Sequence, residues 1–293
     1  MEPSYKFNLK DSSLYYLNTV RYQNSLVSDR KPKYFEWVND SDELPSFYTH
    51  THLDKLGGES DKNVILLESS AIIPAYVKWV SKNSSKFNKI YTHNSDLIRI
   101  CENTRWIPGG GVWIGTEFGG GQEKIYDKGR LCSFFSTDKI MCSLHKIRLD
   151  CSRMIANSNA IKFEQVDLFD CSTGRFIKPI EYLQDYRFSV IFENYQDDLY
   201  FTEKILNCFA TGTIPIYMGA RNIDSLFDGN GIIKFNGARE LISILMNIND
   251  DMYLDKIDAV RNNFEICKKF VCIEDYMWDN YLREEYENRH SIK

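Results

Sequence analysis

Apolar and polar positions along the chain repeat as short apolar runs followed by helically spaced stretches. Asn63 to Glu68 (NVILLE) is a compact run with β-formers, the pattern of a strand buried on both faces. Pro74 then opens a helix to about Lys82, with Ala75, Val77, Trp79 and Val80 available for packing. Proline suits a first turn because its missing N–H has no intrahelical partner to lose. Lys89 to Thr92 is a further short strand, and Tyr34 to Val38 an aromatic strand candidate. Leu131 to Ser136 begins a second alternation, with a helix from about Leu144 to Ala156 and a strand at Val166 to Asp170. Phe188 to Phe192 is a strand. Phe201, Ile205, Leu206, Cys208 and Phe209 fall close to helical spacing, Gly212 sits where a helix-ending glycine belongs, and Ile214 to Met218 is the next strand. Gly231 to Phe235 (strand), Ala238 to Met246, Asp251 to Lys268 and Glu274 to Tyr286 (helices) complete the pattern. Strand–helix–strand alternation predicts a layered α/β protein with parallel strands joined by helical crossovers.

A chain of 293 residues accommodates one large domain or two of ordinary size. Two glycine triplets, Gly109 to Gly111 and Gly119 to Gly121, bracket VWIGTEF. Neither has GxGxxG order between a strand and a helix, so a dinucleotide fingerprint is absent; they read as a flexible loop near a domain boundary. The stretch Gly121 to Gly129 is the expected crossing. This divides the chain into residues 1–125, residues 126–275 and a C-terminal helix over 276–293. The net charge of −5 and the lack of a long basic run argue against nucleic acid as a partner. The start, MEPSYKFNLKDSS, has no apolar signal region, and no apolar stretch approaches the roughly 20 residues that span a bilayer. The eight cysteines form no CxxC pair, so no zinc site is suggested; they read as reduced structural thiols of a cytoplasmic protein. His50 and His52 would share a face on a strand and could ligate a metal, but no third ligand is evident and a surface loop is the better reading. Asp167 and Asp170 lack the spacing of a metal-binding DxD. No internal repeat or low-complexity tract is found.

The polar residues between Tyr186 and Gly219 are grouped. Glu193 and Asn194 follow a strand directly; Tyr200, Thr202, Glu203 and Lys204 sit at the start of the next helix. Open α/β sheets bind ligands beyond the carboxyl ends of their strands, and helix N-termini bind anions. A lysine there adds a charge for phosphate, and a carboxylate can accept from ribose hydroxyls. The run FEN, YxTEK and ATGTIPIYMG resembles the donor-site signature of the α1,3/4-fucosyltransferases, glycosyltransferase family ten, close to FEN[ST]xxxDYxTEK followed by AGTVPVxxG. Asn194 to Lys204 fits without a gap. Tyr195 stands where the family usually has Ser or Thr, and Leu199 where it often has Asp.

Weaker matches extend the resemblance toward Asn63. LESS is similar to the family's FESP segment, FNKIYTHNSDLI to FNWTLSYRADSDVF, WIPGG to VPYG, and VDLFD to VDVFG. The resemblance implies a catalytic base at Glu68 and a diphosphate-binding arginine at Arg148 within HKIRL, with Lys146 the alternative register. It implies donor contacts from Asn194, Tyr200, Glu203 and Lys204. It implies two Rossmann-like domains facing a cleft (GT-B type), an N-terminal one for the acceptor and a C-terminal one for the nucleotide sugar. The implied reaction is inverting transfer of fucose from GDP-fucose to a hydroxyl of a glycan acceptor, α1,3-linked. The scheme needs no metal and no cofactor beyond the donor substrate. The rival expectations are the same chemistry with another nucleotide sugar, and a non-catalytic glycan-binding protein.

Overall fold

The computed structural model describes residues 5–11, 26, 30–38, 43–58, 61–157, 165–170 and 175–290. The chain forms two compact units. One combines Met1–Gly111 with Lys269–Lys293; the other is Val112–Lys268. The first unit therefore closes at Gly111, before the glycine-rich crossing expected over 121–129, and the chain end returns to it.

The first unit holds a parallel sheet of β1 (Tyr5–Lys10), β2 (Phe35–Val38), β3 (Ser46–Thr49), β4 (Lys62–Leu66), β5 (Lys89–Thr92) and β6 (Thr104–Trp106), in the order β2-β1-β3-β4-β5-β6. Successive side chains point to opposite faces. Phe47, Ile65 and Tyr91 thus join Phe7 and Trp37 on one face, covered by Met277, Trp278, Leu282 and Tyr286 from the chain end. Tyr48, Val64, Leu66 and Ile90 face the other way, against Val80 of α1 (Pro74–Lys82) and Leu97 of α2 (Ser95–Ile100). A sheet covered on both faces requires strands apolar on both sides, which is why these runs do not alternate.

The second unit holds β7 (Arg130–Ser136), β8 (Val166–Asp170), β9 (Tyr186–Phe192), β10 (Ile214–Met218) and β11 (Ile233–Lys234), all parallel, in the order β11-β10-β9-β7-β8. Phe134, Phe188, Val190, Ile214 and Ile216 pack with Leu144, Cys151 and Ile155 of α3 (Ser143–Ala156). On the opposite side Ser133 and Ser189 are small enough for α4 (Pro179–Leu183) to come close, and their hydroxyls bond at 2.9 Å. The helix α5 (Glu203–Thr211) is buried along nearly its whole length. Thr202 caps its start, and Gly212 ends it at φ 73°, a left-handed conformation that disfavours any Cβ.

Several expectations need correction. VWIGTEF is not a flexible loop: Val112 and Ile114 are fully buried, and the Asn207 side chain accepts from the backbone N–H of Trp113 (2.8 Å) and Ile114 (3.2 Å). Gly119 serves close approach, since a Cβ there would overlap the Trp113 carbonyl. His50 and His52 lie on a 3-10 helix, His50–Lys55, rather than a strand or open loop. Ala238–Leu245 is one helix, α6, and the stretch from Asp251 to Lys268 is two, α7 (Asp250–Leu254) and α8 (Ile257–Cys267). The last helix is α9 (Ile273–Met277), a π-helical turn (Trp278–Leu282) and α10 (Arg283–His290). Of the seven described cysteines all but Cys142 are buried; Cys171 lies outside the described residues.

Candidate functional site

In the second unit the chain adds β8 on one side of β7, then returns to place β9 on the other. That reversal creates the crevice at which open α/β sheets bind ligands. Glu193 and Asn194 leave β9 at this point, Thr137 leaves β7, and α5 begins beside them.

Glu193 organises the crevice. It is 0% exposed and accepts from the Thr202 backbone N–H (2.9 Å), the Thr202 hydroxyl (2.8 Å) and the Lys204 ammonium (3.2 Å). Burial pushes its carboxyl up, while Lys204 and the Thr202 donors pull it back. Burial outweighs these donors, and the net shift of the Glu193 carboxyl is upward. Burial works against the Lys204 ammonium, but Glu193 and Glu203, the latter at 3.7 Å, outweigh that and raise its pKa. Lys204 is therefore charged, a quarter exposed, and held at the first turn of α5.

Arg148, on α3, is the opposite case. It is 7% exposed, and its Nη2 donates to the Thr137 hydroxyl (2.8 Å) and carbonyl (3.3 Å). Its Nε is buried without a partner, and among the described residues no carboxylate lies within ion-pair distance of it. Burial lowers its pKa. A buried cation without a counter-charge is costly unless an anion completes it.

Arg148, Glu203 and Lys204 line one pocket of about 120 Å³, with Asn207 and an apolar wall that includes Trp113, Phe135, Phe176 and Tyr182. Phe135 and Tyr182 stack at 4.9 Å. Asn194 is not among the lining residues; its Oδ1 lies 2.8 Å from His145 Nε2. Tyr200 is 1% exposed and does not line the pocket. Glu68 belongs to the first unit, just past β4, where its carboxylate accepts from the Ser69 backbone N–H at 3.1 Å. Lys146 is not among the lining residues, so of the two registers it is Arg148 that reaches the pocket. Glu193, His145 and Asn207 were not singled out as site residues from the sequence. Glu193 stands in the FEN motif, and His145 in the same HKIRL segment that contains Arg148; a buried polar role has no local signature. Among the described residues no group of three or more His, Cys, Asp or Glu could hold a metal ion, and no helix is long and apolar enough to cross a membrane.

The parallel sheet, its switch point and a cationic pocket beside a helix start define a Rossmann-like unit suited to a phosphorylated ligand. The comparisons narrow that class. Residues 148–279 match the family model described as glycosyltransferase family 10 (fucosyltransferase) C-term, so the resemblance read from FEN, YxTEK and ATGTIPIYMG holds. An alpha-(1,4)-fucosyltransferase of Arabidopsis thaliana is 31% identical over 72 residues, 24% of this chain and 18% of that protein. The alpha-(1,3)-fucosyltransferase FucT of Helicobacter pylori is 32% identical over 82 residues, 26% of this chain and 17% of its own length. The chain thus spans about a fifth of the length of the curated relatives it matches. The fold is similar to that of an alpha1,3-fucosyltransferase solved with GDP (TM-score 0.53, 14% identity, 94% of this chain and 93% of the other). It is also similar to Anabaena Alr3699/HepE solved with UDP-glucose (TM-score 0.59, 9% identity, 95% and 99%). The α/β class expected from the sequence, with two Rossmann-like units, is the one observed.

Proposed function

We propose that this chain is an inverting fucosyltransferase that moves fucose from GDP-fucose to a hydroxyl of a glycan acceptor, forming an α1,3 linkage. The observation that carries the reading is Arg148, a buried guanidinium without a carboxylate, sharing a pocket with Lys204 at the start of α5. The donor diphosphate is the anion that would complete it. Arg suits the task because its planar fork can bind two phosphate oxygens at once. Glu203 would accept from the ribose hydroxyls, and Asn194 would donate to the phosphates or sugar. Tyr200, being buried, would act by holding the start of α5.

In the reaction the acceptor oxygen attacks the anomeric carbon as the bond to the diphosphate breaks. The electron pair leaves with GDP, whose charge Arg148, Lys204 and the α5 N-terminus stabilise. Glu68 takes the acceptor proton. The diphosphate is already a good leaving group, so neither a metal nor a further cofactor is needed. Buried free thiols such as Cys132, Cys151 and Cys208 favour a cytoplasmic location.

A second reading has one specific observation behind it: the fold is at least as similar to a structure bound to UDP-glucose as to the fucosyltransferase. Calorimetric titration with GDP, GDP-fucose, UDP and UDP-glucose in the presence of a chelator separates the two. Tight binding of GDP and GDP-fucose supports fucosyl transfer. UDP preference replaces the donor but keeps a transferase, and no nucleotide binding by folded protein leaves a non-catalytic glycan-binding protein.

A further inference from the structure

His145 is 5% exposed, in the first turn of α3, and its two ring nitrogens face different segments. The backbone N–H of Met141 donates to Nδ1 at 3.1 Å. A backbone amide can only donate, so Nδ1 carries no proton, and in the neutral ring the proton sits on Nε2. Nε2 lies 2.8 Å from Asn194 Oδ1 and is therefore the donor to it. This chain of bonds fixes the Asn194 amide: its oxygen is turned toward His145 and its NH2 group away. That NH2 has no acceptor among the described residues.

We propose that His145 is a positioning residue for the nucleotide-sugar donor. As the Nε2–H tautomer it holds the Asn194 amide so that Nδ2 presents its N–H groups to an oxygen of the donor's diphosphate. The inference rests on the donor-site reading above and adds to it a residue that does not itself touch substrate.

The same contacts tie the loop after β7 into the site. Arg148 grips it at Thr137, and His145 holds its far end at Met141. Protonating His145 would put an N–H on Nδ1 against the Met141 N–H, two donors with no acceptor between them. That end of the loop would be released, and the amide orientation with it. The charged groups around the ring all resist protonation: Arg148 on its own helix, Lys139 in the loop and Lys204 on α5. Burial lowers the pKa of His145, the Asn194 bond pulls it back upward, and those three cations lower it further. The sign follows. The folded site holds His145 neutral, so its contribution is full above the ordinary histidine range and is lost as pH falls below it.

The test compares the parent with His145→Ala and His145→Gln, measuring GDP affinity by calorimetry from pH 7.5 to 5 and checking the fold by circular dichroism. A glutamine amide can accept from Met141 through its oxygen and donate to Asn194 through its nitrogen, yet does not titrate. The alanine variant is expected to lose about tenfold in affinity at pH 7.5, the order of one oriented hydrogen bond to a charged group. The glutamine variant should bind within about twofold of the parent at pH 7.5, given that one amide replaces both contacts. It should also lack the extra acid loss that the parent shows; titration of GDP itself affects both proteins equally and cancels in the comparison. A folded alanine variant binding like the parent would overturn the proposal, as would identical pH profiles for the parent and His145→Gln. If alanine does not fold, the glutamine profile decides alone. Absence of GDP binding by the parent would instead overturn the donor-site reading, and this proposal with it.

Discussion

Arg148→Met separates a structural arginine from one placed for a ligand, because the two roles predict opposite stabilities. Removing Arg148 forfeits its bonds to Thr137, where a hydrogen bond from a charged donor is worth about 1.5–3 kcal/mol. It also removes a cation that is 7% exposed with no carboxylate beside it, a burial penalty of several kcal/mol. The two effects oppose each other, so the unliganded variant should be as stable as the parent, to within about 1 kcal/mol, or more stable. Donor affinity should move the other way. Truncating one partner of a buried, hydrogen-bonded charge contact costs about 2–5 kcal/mol of binding, about 30-fold or more in affinity. With GDP at about 100 times the parental Kd, the parent gains about 2.7 kcal/mol, and a variant bound 100-fold more weakly gains about 0.4 kcal/mol. For a unit of this size about 1 kcal/mol moves the melting temperature by roughly 2–4 °C. GDP should thus raise the parental melting temperature by about 5–11 °C and that of the variant by about 1 °C. Thermal melts with and without GDP read both quantities. A variant that loses about 3–5 kcal/mol, as when a buried pair is broken, yet keeps the GDP shift would refute the reasoning.

Lys204→Ala should lower turnover about 100- to 1000-fold, but it also strands the wholly buried Glu193 carboxylate, at a cost of about 3–5 kcal/mol. Lys204→Ala combined with Glu193→Gln should therefore recover stability in a thermal melt without recovering turnover. Glu68→Gln should reduce kcat by about 100- to 10,000-fold, the range of general base catalysis, with GDP affinity in calorimetry unchanged; near-parental turnover would remove Glu68 as the base.

The strands and helices that the sequence announces are those with local causes. Pro74–Lys82, Lys89–Thr92, Val166–Asp170 and Ile214–Met218 coincide with the structure at both ends, because each is an apolar run or amphipathic stretch bounded by polar residues or breakers. The strand β3, SFYT, has no clear local signal: it is four residues long, and its polar Ser46 is buried, where Asn8 of β1 donates to it at 3.1 Å. β1 and β6 are similarly short or polar and take their conformation from their neighbours in the sheet. The return of the chain end to the first unit depends on contacts such as Trp37 Nε1 to Glu274, far apart in sequence, for which no local signal exists. At the site, FEN and TEK mark the right segments, since each is a contiguous motif at an element end. What they leave out is that Glu193 is an internal hub rather than a ligand contact, and that Tyr200 is buried.

The two sheets have the same strand order. Counting from the first strand of each unit, both run 2-1-3-4-5, and the first unit adds a sixth strand at its edge. The chain carries no sequence repeat, so the likeness lies in topology: parallel strands with their crossovers admit few winding orders. Each unit consequently has its own switch point between its first and third strands. In the second unit that point carries Thr137, Glu193 and Asn194. In the first it carries Asp11, just after β1, and Thr49 and Thr51 around the end of β3; both hydroxyls donate to the Asp11 carboxylate. Glu68 follows β4, the next strand along; burial lowers the pKa of His50, and Glu68 and Asp11 offset only part of that. If the second unit holds the donor, the polar group at the first unit's switch point is where an acceptor hydroxyl would be recognised. Asp11→Asn should then raise the acceptor KM by about tenfold, as for loss of one charged hydrogen-bond partner, with GDP affinity unchanged. Steady-state kinetics with varied acceptor at saturating donor read this directly. A variant whose acceptor KM stays at the parental value while its melting temperature falls would show Asp11 to be a purely structural anchor of Thr49 and Thr51.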